Sequence, residues 1–79
     1  MEYDTDKIDQ TVMALLSLTM FEDGIITRAW KGQDWDVMDR LFKRGWIEDP
    51  KSKAKSVVVT EDGKRMATQL FDQFFAKSS

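Results

Sequence analysis

The carboxylates Asp34, Asp36 and Asp39 are the residues of this sequence best placed to do chemistry. Asp36 and Asp39 are three apart, which puts both on one face of a helix. A carboxylate pair there could act as general acid and base or hold a Mg²⁺ ion. Their neighbours argue for something plainer. Asp36 precedes Arg40 by four residues and Asp39 precedes Lys43 by four, the orientation that favours ion pairs along a helix. The 79 residues contain no histidine and no cysteine. The usual general base, the thiolate nucleophile and the nitrogen and sulfur ligands of zinc are therefore missing together. No phosphate-cradling glycine loop accompanies the acids. The expectation is a solvated, salt-bridged face, no enzyme, no metal and no cofactor.

The second candidate is a basic cluster. Lys51, Lys53 and Lys55 lie at the tip of an expected hairpin, near Arg40, Lys43 and Arg44 at the end of the preceding helix. These six residues could contact the phosphates of DNA, giving weak, strongly salt-dependent binding. The same lysines could simply keep an edge strand soluble. Net charge is −2 overall, but residues 1–24 carry −5 and residues 25–56 carry +3. Only the middle of the chain can attract a polyanion.

The third candidate is aromatic. Trp30, beside Arg28 and Lys31, could offer a stacking surface to a base or a protein. Trp35 and Trp46 flank one helix and are expected in the core. Near the C-terminal end, Leu70, Phe71, Phe74 and Phe75 form a broad apolar face. They either build a homodimer with the first helix, across a two-fold axis, or pack on that helix within one chain.

These residues need a frame of about three helices and a hairpin. The first helix is expected over about 7–20, capped by Thr5 or Asp6, with Ile8, Val12, Leu15, Leu16 and Thr19 as its buried stripe. Gly24 can adopt positive φ after it. Residues 25–30 read as extended or as one helical turn, and a short third strand is one outcome. Asp34 caps a second helix over about 35–44, closed by Gly45. A hairpin over about 46–60 follows, turning at Asp49-Pro50-Lys51-Ser52, with Val57 and Val59 on one face. Thr60 caps the last helix, about 61–76. The acidic start and the short apolar run Val12 to Leu18 give no signal peptide or membrane span. The expected location is the cytoplasm.

The stretch Leu41-Phe42-Lys43-Arg44-Gly45-Trp46-Ile47, with Val57-Val58-Val59-Thr60-Glu61-Asp62-Gly63, resembles the second half of two bacterial regulator families. These are the multiple-antibiotic-resistance and the phenolic-acid-decarboxylase regulators. The resemblance implies a small α+β winged-helix-like domain over residues 1–79. It also implies a recognition helix before Gly45, a wing after it and a homodimer through the terminal helices. Over most of the chain, Arg28-Ala29-Trp30-Lys31-Gly32, Asp34-Trp35-Asp36, Asp39-Arg40-Leu41 and Asp49-Pro50 through Val59-Thr60 resemble a family of short bacterial proteins known as a domain of unknown function. Two functions are thus expected. One is a DNA-binding regulator or accessory factor; the alternative is a protein-interaction or scaffolding domain without nucleic-acid binding.

Overall fold

The first helix, α1 (Thr5–Leu16), begins where Asp4 accepts a hydrogen bond from the Lys7 amide at 3.0 Å. A short carboxylate there satisfies an amide that helix geometry leaves unpaired. Asp4 is therefore the cap, and Thr5 and Asp6 fall inside the helix. The computed structural model describes residues 2–30, 32, 34–51 and 54–77. After Leu16 the chain tightens into a 3-10 turn over Ser17–Thr19, short of the expected end at Met20.

Phe21 to Gly24 do more than stop that helix, because they open a β-hairpin. Strand β1 (Phe21–Asp23) pairs antiparallel with β2 (Ile26–Trp30), with Asp23 opposite Ile26. Gly24 and Ile25 form a two-residue turn. Gly24 takes φ 66°, the positive value wanted at the first position of a type II′ turn. Residues 26–30 are thus strand, which settles the choice left open by the sequence.

Helix α2 (Trp35–Lys43) starts at Asp34, whose carboxylate accepts from the Asp36 and Val37 amides. Gly45 follows at φ 80°, the left-handed conformation expected there. A helix-turn-helix would need another helix just before α2. Among the described residues that place is held by the β1–β2 hairpin.

The expected hairpin over 46–60 forms only at its base. Ile47 bridges Val59, flanked by the Glu48 amide donating to the Val58 carbonyl (2.9 Å) and the Thr60 amide donating to the Trp46 carbonyl (3.1 Å). Beyond Glu48, Asp49 accepts from the Lys51 amide at 2.9 Å and turns the chain away. Strand β3 (Ser56–Val59) finds its longer partner in β2, with Thr27 opposite Val59 and Trp30 opposite Ser56. The sheet order is β1-β2-β3, antiparallel throughout.

Thr60 caps α3 (Glu61–Phe75) as expected. Its hydroxyl accepts from the Gly63 amide (2.9 Å) and donates to the Gly45 carbonyl (2.6 Å). Gly63 lies so close to Trp46 that a Cβ there would stand 1.8 Å from the Trp46 carbonyl oxygen.

One core joins these elements. Met13, Ala14 and Leu16 of α1, Val37, Met38 and Leu41 of α2, and Ala67 and Leu70 of α3 pack on Ala29, Val57 and Val59 of the sheet, with Trp46 and Ile47. Helices cover one face of the sheet, and the molecule is a disc of 37 × 36 × 18 Å. Trp46 is in the core as expected, but Trp35 is 61% exposed. The α1 stripe read as buried is also corrected. Leu16 goes inside and Val12 packs at the margin, while Ile8 and Leu15 stay about 40% exposed and Thr19 is exposed. The buried face is turned by one residue, onto Asp9, Met13 and Leu16.

Candidate functional site

Three of the basic candidates are ion-paired within the fold. Asp9 is 1% exposed, and an isolated buried carboxylate is costly. Arg40 reaches it from α2, its Nε donating to both carboxylate oxygens at 2.8 and 3.0 Å. Asp9 raises the pKa of Arg40 further, so this cation is permanent. The sequence paired Arg40 with Asp36; the partner is 31 residues away instead. Arg44 binds Asp6, approaches Asp9 at 3.8 Å and lies 4.9 Å from the centre of the Trp46 ring. Lys43 does pair with Asp39 as expected, at 2.9 Å, and its hydrogen bond holds the Asp39 carboxyl below the usual range. Arg40, Lys43 and Arg44 are therefore each paired with an acid of the same chain. Lys51 and Lys55 are exposed on the loop before β3, and Lys53 lies outside the described residues.

The acids have structural duties. Asp34 caps α2, Asp39 holds Lys43, and Asp36 is exposed. Among the described residues no group of His, Cys, Asp and Glu is arranged to hold a metal ion. Glu22 bridges to α3 by accepting from Lys64 Nζ and the Thr27 hydroxyl, each at 3.1 Å. Those bonds, that of Lys64 first, hold the Glu22 carboxyl below its ordinary value.

The aromatic candidates separate. Leu70 is buried, and Phe71 and Phe74 pack against the core from its margin. Lys7 sits over the Phe74 ring at 3.8 Å, so these side chains are covered by α1 of the same chain. Of that group only Phe75 is exposed. Trp30 is 53% exposed and lies on the outer face of the sheet, opposite the described core.

That face is the arrangement sequence reasoning missed. Strand alternation sends Thr27 and Ala29 inward and Ile26, Arg28 and Trp30 outward. Phe21 and Val58 stand opposite Arg28 in the register, on the same outer face. The Phe21 and Trp30 rings lie 5.3 Å apart. Arg28 runs along the surface to Ser56, donating from Nε to its hydroxyl (2.7 Å) and from a terminal nitrogen to its carbonyl (3.1 Å). The signal was present as the period-two spacing of Ile26, Arg28 and Trp30. A second open surface follows α1, where Tyr3, Asp4, Lys7, Ile8, Thr11 and Val12 line a shallow, mostly apolar recess.

Fold and surfaces together define a small α+β domain with three helices and a three-stranded antiparallel sheet. No helix among the described residues is long and apolar enough to cross a membrane. The chain belongs to the family described as a domain of unknown function (DUF6429), which it matches over residues 4–77. It is 48% identical over 77 residues to the uncharacterized protein y4hR of Sinorhizobium fredii (strain NBRC 101917 / NGR234), covering 98% of this chain and all of the relative. No solved structure matches the chain.

Proposed function

We propose that this domain is a non-catalytic protein-interaction module that docks an apolar protein surface on the outer face of its sheet. One observation carries the proposal: Phe21, Ile26, Trp30 and Val58 share a face that no helix covers, with Arg28 laid flat among them. Aromatic residues and arginine are the side chains that dominate protein interfaces. The winged-helix reading, with DNA as partner, draws less support. Its recognition helix has its basic residues tied to Asp6, Asp9 and Asp39, and only Lys51 and Lys55 remain on the described part of its wing.

The test has two arms. Anisotropy titrations at low salt use mixed-sequence duplex and single strands. The expected result is no binding in the roughly 1–100 µM range of non-specific nucleic-acid contacts. In the native host, a photo-crosslinking residue replaces Trp30, and another replaces exposed Thr68 on α3 as control. A discrete protein adduct at 30 and none at 68 supports the reading. Salt-dependent nucleic-acid binding that Lys51→Glu and Lys55→Glu abolish, or no adduct at 30, overturns it.

A further inference from the structure

The chain holds four arginines. Three are paired with acids: Arg40 with Asp9, Arg44 with Asp6 and Arg65 with Asp62. Arg28 differs, because no acid among the described residues pairs with it. Its partner is Ser56, whose hydroxyl accepts from Nε at 2.7 Å and whose carbonyl accepts from a terminal nitrogen at 3.1 Å. Those two N–H groups make up one fork of the planar guanidinium. The two terminal nitrogens make up a second fork, which Ser56 leaves open.

The setting of this cation is apolar. Phe21 of β1 and Val58 of β3 stand opposite Arg28 in the register, and Ile26 and Trp30 flank it along β2. A charge kept for solubility normally extends into water at the end of a free stem. The Arg28 guanidinium is instead half-buried and tied down inside an apolar frame. Acids on this side stand at its margins. Asp23 is exposed opposite Ile26 at the end of β1, and exposed Glu48 follows buried Ile47 beyond β3.

We infer that the protein partner of this face presents one carboxylate, an Asp or Glu side chain set among apolar ones, and that Arg28 reads it through its open fork. This rests on the sheet-face reading above and adds the chemistry of the partner. Charge complementarity selects the occupant. A purely apolar surface laid over the face would bury the guanidinium without a counter-ion, which is strongly unfavourable. A carboxylate matches the two parallel N–H groups of the fork, and the apolar contacts around it exclude water and strengthen the pair. Ser56 already holds the guanidinium still, so binding costs little further rotamer freedom. A polyanion fits less well, since its further charges would meet Asp23 and Glu48 at the margins.

The probe is a library of random linear peptides displayed on phage and selected on the immobilised domain. Wild type should enrich peptides with one Asp or Glu between apolar residues. Arg28→Glu should enrich Lys or Arg at that place instead. Arg28→Gln, the second variant if circular dichroism shows the reversal to disturb the sheet, should keep the apolar residues and lose the acid. Converting the acid of a selected peptide to its amide should weaken binding by about 10–100-fold, the effect of a charge-assisted hydrogen-bond pair. Peptides that Trp30→Ala releases but that carry no acid overturn this inference and leave the sheet-face reading standing. An acid preference that both Arg28 variants retain does the same. If Trp30→Ala releases no selected peptide, the sheet-face reading falls and this inference falls with it.

Discussion

Replacing Gly63 with alanine should destabilise the domain, although helix propensity alone favours alanine over glycine by about 1 kcal/mol. The added Cβ would lie 1.8 Å from the Trp46 carbonyl oxygen and 2.7 Å from its carbonyl carbon. Carbon and oxygen in contact sit at about 3.3–3.6 Å, so one backbone must retreat by about 1.5 Å. The obstacle is main chain, and it is pinned, because the same Trp46 oxygen accepts from the Thr60 amide at 3.1 Å. Moving α3 also strains the Thr60 cap on the Gly63 amide. Overpacking costs about 1–3 kcal/mol, and the cap and the Thr60–Trp46 bond about 1 kcal/mol each. After the propensity gain, the net loss is about 2–4 kcal/mol. A domain of this size holds about 4–12 kcal/mol in all. Tm should fall by about 10–30 °C, at about 4–8 °C per kcal/mol. Thermal melts followed by far-UV circular dichroism, with urea midpoints beside them, read this directly. Gly32→Ala is the control, since nothing lies within 4 Å of a Cβ at that position. A Gly63→Ala protein that melts at or above the wild-type temperature would refute the close approach and the placing of α3 derived from it.

Three further predictions follow from the same contacts. Arg40→Leu leaves the buried Asp9 carboxylate with only the more distant Arg44, and should cost about 2–4 kcal/mol by urea denaturation; pairing it with Asp9→Leu should restore much of that loss. Acid should weaken the fold through Glu22 and Asp39, whose carboxyls sit below their ordinary values of 4.5 and 3.8. Stability from such groups is present above those values and is lost as pH falls through the lower folded ones, so Lys64→Met should flatten the decline of the urea midpoint below pH 4.5. Leu16→Ala should cost about 2–5 kcal/mol, while Leu15→Ala should cost under about 1 kcal/mol; equal losses would contradict the turned face of α1.

What was legible in the sequence was local. Asp34 and Thr60 mark their helices because short oxygen side chains cap amides a few residues on, and Gly45 marks a left-handed stop. The Val57 and Val59 alternation gave the inner face of β3. The failures were contacts between distant segments. Asp9 is a buried acid that nothing near it in the sequence announces, because its partner is Arg40 of α2. The buried face of α1 holds that pair together with Met13, Ala14 and Leu16, and leaves Ile8 and Leu15 exposed. The pairing also removed Arg40 from the basic face. Phe21-Glu22-Asp23 read as the end of a helix because a three-residue strand with two acids has almost no β signature. With that strand unseen, the open sheet face could not be assembled, although Trp30 had been singled out.

The helix first made is the last to be covered. About 45 residues separate the end of α1 from the start of α3, its neighbour in the fold. Synthesis at about 5–20 residues per second leaves that helix without its own companion for about 2–9 seconds. During that interval Met13 and Leu16 lack the cover that α3 supplies, and only α2 and the strands already made can shield them.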